Sequence, residues 1–289
     1  MQKLKFDAVL GALAQLDPWL LSLGLRTNSG RWQAAIKTLQ RAKEANEASV
    51  RGDTMPKISN YVPGLFEAME MHTIFEAFSV DQSPALKEKM RRALAGPFEP
   101  TKEEVKTSGS RNTMFELFLA ADWKMRGLPV NIGEPDITLE IMGNRFLTEC
   151  KRPFSENSVS SNIEESARQL KKHLDKAENT CARGLIAISL SRVITANNLM
   201  VFSGDEGGRK AVTDRLISEV AQHEKGWRIK HLMNLHPRIV AVMFHLAMPW
   251  DIGGESLIYM ASEHFVPAGN KDTEGQLLLK HAFECARRL

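Results

Sequence analysis

Gly133-Glu134-Pro135-Asp136-Ile137-Thr138-Leu139-Glu140-Ile141-Met142-Gly143-Asn144-Arg145-Phe146-Leu147-Thr148-Glu149-Cys150-Lys151 is the stretch that decides the fold. Apolar and polar residues alternate on both sides of Gly143-Asn144. A Gly-Asn pair between two such runs signals a β-hairpin with a tight turn. A turn there sets Met142 opposite Arg145, Thr138 opposite Glu149 and Asp136 opposite Lys151. Side chains alternate along a strand, so Ile137, Leu139, Ile141, Phe146, Thr148 and Cys150 share one face. Asp136, Thr138, Glu140, Arg145, Leu147, Glu149 and Lys151 share the other. The first face reads as core and the second as charged.

Directly opposed Cβ atoms lie about 5 Å apart, and diagonal ones about 7 to 8 Å apart. Asp136 and Glu149 form such a diagonal, with Lys151 beside both. Mg²⁺ is commonly held by one or two carboxylates and keeps several waters. Two acids can therefore hold an ion that stays open to substrate, and an adjacent ammonium favours deprotonated water. That chemistry suits phosphodiester hydrolysis. Opposed acids and lysines are also what a solvated hairpin face carries, so the order of the surrounding elements has to separate the two readings.

Pro135-Asp136, twelve intervening residues and then Glu149-Cys150-Lys151 resemble the PD-(D/E)xK nuclease superfamily, which includes restriction endonucleases, recombination exonucleases and repair nucleases. The resemblance implies a restriction-endonuclease-like core, with Asp136 and Glu149 binding Mg²⁺ and Mn²⁺ able to substitute. It implies that the backbone carbonyl of Cys150 adds a ligand, that Lys151 positions or activates water, and that Glu116 on the preceding helix completes the site. Some exonuclease-like members carry a Gln with a Tyr four residues on in the next helix. Here Gln169 is followed at that distance by His173.

Composition sets outer bounds. The chain has 289 residues, 43% of them hydrophobic, and a net charge of +3, which neither demands nor excludes nucleic acid. Cys150, Cys181 and Cys285 are widely spaced and odd in number, which argues for a reducing compartment and against zinc. Asp7 and Asp17 interrupt the N-terminal apolar run, so no membrane segment or secretion signal is expected, and the location is read as cytoplasmic. Gly207-Gly208 lacks phosphate-loop spacing, His236, His245 and His264 lack chelate spacing, and no nucleophile elbow occurs.

Taken in order, helical spacing recurs through residues 5–24, 31–46 and 65–78, and Ser83-Pro84 opens a further helix. A loop is expected over 47–62, and a Pro-, Thr- and Lys-rich join over 96–110. Thr113-x-x-Glu116 reads as a capping box, which would tie Glu116 to the backbone; a cap at Ser110 would instead leave Glu116 inside the helix and available to a metal. Ser161-x-x-Glu164 opens a helix carrying Arg168, Gln169, Lys171, Lys172 and His173 after a loop from Phe154 to Ser160. Arg152, Gln169 and Lys172 are the substrate-side candidates. Residues 184–190, 238–246 and 257–261 read as strands, 195–208 as a loop, and 209–224 and 273–288 as helices.

The resulting expectation is an α/β protein whose mixed sheet is flanked by helices. Residues 1–100 form an all-helical region for recognition, oligomerisation or partner binding, and residues 101–289 form the nuclease-like domain. The expected activity is Mg²⁺-dependent cleavage of nucleic acid, DNA favoured over RNA, with a homodimer or protein partner engaged through the helices. A catalytically silent binding or scaffolding subunit is the alternative.

Overall fold

The computed structural model describes residues 10–11, 13–50, 62–98, 108–153, 155–177, 181–195, 202–203, 208–252, 256–269 and 272–286. Before the first strand the described elements are all helices: α1 (Leu16–Ser22), α2 (Gly30–Val50), α3 (Val62–Phe78), α4 (Pro84–Leu94) and α5 (Ser108–Met125). The order continues β1 (Val130–Ile132), β2 (Ile137–Ile141), β3 (Asn144–Lys151), α6 (Glu156–Lys176), β4 (Ala182–Ser189), α7 (Ser191–Thr195), β5 (Phe202–Ser203) and α8 (Gly208–His223). A 3-10 turn (Ile229–His231), α9 (Leu232–Leu235), β6 (Ile239–Ile252), β7 (Ser256–Pro267) and α10 (Thr273–Ala286) complete it.

These strands make one mixed sheet in the order β1-β2-β3-β4-β6-β5, with β7 also paired to β6. The β1-β2-β3 part is antiparallel; β3, β4, β6 and β5 run parallel. A parallel β3–β4 pair needs a crossover between its strands, and α6 supplies it. The helix has the residues for that job, with Val159, Ile163, Ala167, Leu170 and Leu174 buried in one stripe. At Gly184, a Cβ would lie 3.2 Å from Leu174 Cδ1 and 3.3 Å from Leu170 Cδ1, so the glycine admits the helix to close range. Leu147, Glu149 and Lys151 pair with Gly184, Ile186 and Ile188, so they share the face covered by α6.

Chain contacts divide the protein into two units. The first comprises residues 1–118, 197–208 and 248–260. Within it, Arg31 is buried and forks onto Glu67, with Nε 2.6 Å from Oε1 and NH2 donating to Oε2 at 2.7 Å. Trp32 Nε1 donates to Asp17 at 2.7 Å, and Trp19 packs edge-on against Phe75. Ser83 caps α4 as its position before Pro84 predicts, its hydroxyl accepting the Leu86 amide at 3.2 Å.

The second unit comprises residues 119–196, 209–247 and 261–289. Ile137, Leu139, Phe146, Ile186, Ile188, Val242 and Phe244 are buried on its strands, and Trp123 meets Phe283 edge-on.

Several expectations shift. The hairpin turns at Met142-Gly143, with φ of 47° and 75°, not at Gly143-Asn144. Both central positions of this turn type need positive φ, and Gly143 takes the second. Sliding the turn by one residue moves the pairing by two, so each side chain keeps its face while its partner changes. Glu140 now stands opposite Arg145, where opposite charges meet at 3.7 Å, instead of opposite Leu147. The face expected to be charged is solvated only near the turn, where Glu140 and Arg145 are exposed, while Thr138, Leu147 and Glu149 are buried.

The capping boxes move as well. Thr113 lies inside α5, its hydroxyl donating to the Gly109 carbonyl at 3.0 Å. α6 begins at Glu156, where the expected loop stood; Ser155 is its N-cap and its amide donates to Ser158 Oγ at 3.1 Å. β6 runs through Pro249-Trp250-Asp251, and a short β5 interrupts the loop expected over 195–208. α2 takes the first residues of the loop expected over 47–62 by running to Val50. The rest of that loop, most of the join at 96–110, Asn197-Asn198 and Gly207 lie outside the described residues.

Gly143 has open space around its missing Cβ, so a substitution there meets only the backbone constraint. Gly143→Ala is expected to lose about 1 kcal/mol of stability in urea unfolding, and Met142→Gly to lose none, because each result reports the left-handed backbone alone.

Candidate functional site

The polypeptide reaches β2 through a turn in which the Gly133 amide donates to the Asp136 carbonyl at 3.4 Å. That turn leaves Asp136 just ahead of β2, whose first residue Ile137 pairs with Thr148. Asp136 Oδ2 accepts the Cys150 backbone N–H at 2.8 Å. The first acid is thereby bound at the residue between Glu149 and Lys151, one step from where the expected register put it. Cys150 itself is buried, with its side chain on the opposite face from Glu149.

α6 supplies the other wall. Its residues 165, 169 and 173 are spaced by four and stack on one face of the helix. Glu165 Oε1 lies 3.5 Å from Lys151 Nζ, and His173 Nε2 lies 3.6 Å from Glu149 Oε1. Gln169 stands between them, and its Oε1 is buried with no hydrogen-bond partner among the described residues. Glu149 is only 5% exposed and the Lys151 side chain 13%. Glu149 and Lys151 thus lie near the end of β3 against α6, with Asp136 bonded to the residue between them and Gln169 on the helix face that carries Glu165 and His173.

The remaining candidates have other contacts. Lys172 is exposed on α6, three residues after Gln169, and no ion pair joins it to Asp136 or Glu149 among the described residues. Arg152 follows β3 and acts on His245, whose protonation its charge opposes. Glu116 belongs to the first unit, where Lys89 Nζ donates to its Oε2 at 2.7 Å and both side chains are 11% exposed. It lies inside α5 and so is not a capping residue.

Among the described residues, no group of three or more His, Cys, Asp or Glu side chains could hold a metal ion. A closed protein cage of the zinc or calcium kind is therefore not present among them. The donor set that does gather, the carboxylates of Asp136 and Glu149 with the Cys150 backbone between, is all oxygen. It fits a hard ion that needs one or two carboxylates and water. Glu165 and His173 are the contacts that motif reading does not supply. Their signal is helical spacing, each four residues from Gln169.

The other face of the sheet holds a separate polar network. Glu263 takes both nitrogens of the Arg126 fork at 3.0 and 2.6 Å and the Trp123 indole N–H at 2.8 Å. Burial pushes the Glu263 carboxyl up, but Arg126 outweighs it and holds the group below its usual range. A cavity of about 460 Å³ opens here, lined among others by Asp122, Lys210, Thr213 and Ser262. His245, 4% exposed, borders it; burial pushes its pKa down to about 4 despite Glu263, with Arg152 and Arg126 adding to the fall.

The folded protein therefore holds His245 neutral where the unfolded chain protonates it, near 6.5. Its contribution is fully present above about pH 6.5, and is lost as pH falls from there to about 4. His245→Gln is expected to flatten the unfolding free energy across that window by about 3 kcal/mol relative to wild type, measured by urea titration at stepped pH. In the same assay at neutral pH, Asp136→Ala is expected to lose about 1 to 3 kcal/mol, because the Cys150 amide loses its acceptor, and Asp136→Asn much less.

No family model matches the chain, and neither a curated protein nor a solved structure matches it.

Proposed function

We propose that the chain is a divalent-metal-dependent nuclease with a restriction-endonuclease-like core, acting on DNA in preference to RNA, and that the helices before β1 serve recognition or self-association. The observation that carries the reading is the Asp136–Cys150 hydrogen bond. It keeps one carboxylate at the end of β3 beside Glu149, with Lys151 on the same face as Glu149. Two acids, one amine and an all-oxygen donor set at one strand end are what phosphodiester hydrolysis requires.

Asp136 and Glu149 would hold Mg²⁺ or Mn²⁺, with the Cys150 carbonyl as a further donor. Such an ion, when bound, neutralises phosphate charge and makes water more acidic. The protein's own groups do the rest. The Lys151 ammonium donates to the attacking water or to a non-bridging phosphate oxygen, offsetting negative charge as it develops. Gln169 Oε1, a buried acceptor, receives an O–H of that water and orients it. The water oxygen bonds to phosphorus, the bond from phosphorus to the sugar oxygen breaks, and a proton ends on the departing oxygen. Glu165 holds Lys151 at 3.5 Å, a contact loose enough to yield to a phosphate. By analogy of fold, restriction or anti-phage defence is a setting that suits such an enzyme.

The second reading is a catalytically silent nucleic-acid-binding or scaffolding protein. The pairing of Lys151 with Glu165 and of Glu149 with His173 favours it, because both charges then serve the packing of α6 on β3.

Purified protein incubated with plasmid, linear and single-stranded DNA and with RNA separates the two. Cleavage is expected with Mg²⁺ or Mn²⁺ and not with EDTA. Lys151→Ala is expected to slow it by about 10² to 10³-fold while binding persists. Binding by wild type with no turnover under either metal would overturn the enzymatic reading and leave the scaffold.

A further inference from the structure

On the α6 side of the sheet, a cavity of about 640 Å³ is walled by Glu164, Arg168, Trp227, Arg228, His231 and Leu235 with their neighbours. We propose that this groove is a track for the phosphate backbone of a nucleic-acid strand, an inference that rests on the nuclease reading and names where its substrate lies.

The argument begins with Arg228. Its backbone adopts φ 54° and ψ 31° at the N-cap of the 3-10 turn, a left-handed conformation in which an L side chain is strained and glycine is not. The Arg228 side chain is exposed, and it makes no ion pair among the described residues. A strained position occupied by a long, exposed cation with no ion pair among the described residues points to a use outside the fold.

Arg168 brings a second cation to the same groove. It is exposed, and its Nε donates to the Glu164 carbonyl at 3.3 Å, a contact that leaves its charge unneutralised. His231 is exposed beside them, and Glu164 is the one acid in the wall, so positive charge prevails. Trp227, Leu232, Asn234 and Leu235 complete the lining. Trp227 is only 4% exposed and stacks on His223 at 5.6 Å, so it backs the groove, and Leu235 is 39% exposed. A ligand with regularly spaced negative charge matches the two exposed guanidinium groups of this lining, and the phosphate backbone of a nucleic-acid strand is that ligand. Arg168 also precedes Gln169 on α6, so a strand held in the groove runs along the helix that covers Glu149 and Lys151.

The full chain is tested by fluorescence anisotropy with short labelled single-stranded DNA, duplex DNA and RNA, in EDTA, over a range of NaCl. The variants are Arg228→Gly, Arg168→Gln and the two together; Arg215→Gln with Lys280→Gln is the charge-matched control. The double variant is expected to bind about tenfold more weakly near 0.1 M salt. Its slope of log affinity against log salt should fall by about 1.4 for a single strand or about 1.8 for a duplex, two contacts' worth. Arg228→Gly should melt no lower than wild type. Unchanged affinity and slope, an equal loss in the control, or a clear drop in the melting temperature of Arg228→Gly would each overturn the track. In any of those cases, metal-dependent cleavage by wild type would leave the nuclease reading standing. If wild type neither binds nor cleaves any of these nucleic acids, both fall together.

Discussion

A single hydrogen bond, from the Cys150 amide to the Asp136 carboxylate, closes the open end of the β2–β3 hairpin. The Met142-Gly143 turn fixes the other end, so the hairpin is pinned twice and its register cannot slip without breaking one of the two. A charge-assisted bond of this kind contributes about 1.5 to 3 kcal/mol, enough to hold a carboxylate where its own solvation would draw it away. Everything proposed for the site follows from that placement. Glu149 and Lys151 are positioned by β3 and by their α6 partners His173 and Glu165, and the Cys150 amide, between them in the chain, binds Asp136.

Buried acids elsewhere in the protein show what a purely structural solution looks like. Glu67 sits on the fork of Arg31, and Glu263 on the fork of Arg126, each bidentate and at short range. A guanidinium never deprotonates and its geometry matches a carboxylate, so such pairs are fixed. Glu149 meets His173 at 3.6 Å, and Lys151 meets Glu165 at 3.5 Å. Imidazole and a solvent-facing carboxylate are partners that can be exchanged. The contrast lies in chemistry, since the side chains of all three acids are nearly inaccessible.

Patterns of period two and of three to four were legible in the chain, and they carry the mixed sheet, the crossover helix and the faces of β2 and β3. Local chemistry was legible where one residue decides it, as with Ser83 ahead of Pro84. Register was not, because Gly143 can take either central position of the turn. The choice belongs to longer-range contacts such as Glu140 with Arg145 and the covering of Leu147 by α6. Helix starts slipped for a related reason: Thr113 and Ser161 can cap, but each is used inside a helix that begins earlier. The Lys89–Glu116 pair and the Arg126–Glu263 fork join residues far apart in sequence, and no local pattern encodes such meetings.

Parallel pairing gives the two polar regions of the second unit a common origin. Lys151 pairs with Ile188, whose partner is Phe244; Ser189 pairs with His245 one residue further on. Strands that run in step set paired residues at one level, and successive residues point to opposite faces. Lys151 therefore emerges toward α6 and His245 toward Glu263, although they stand one level apart. The same geometry that gathers exchangeable charge on one face builds a rigid fork on the other. The Arg126–Glu263 fork and the buried His245 are fixed neighbours on that second face. Fixed neighbours are what a pair of acids needs if they are to keep their spacing when the groups around them change partners.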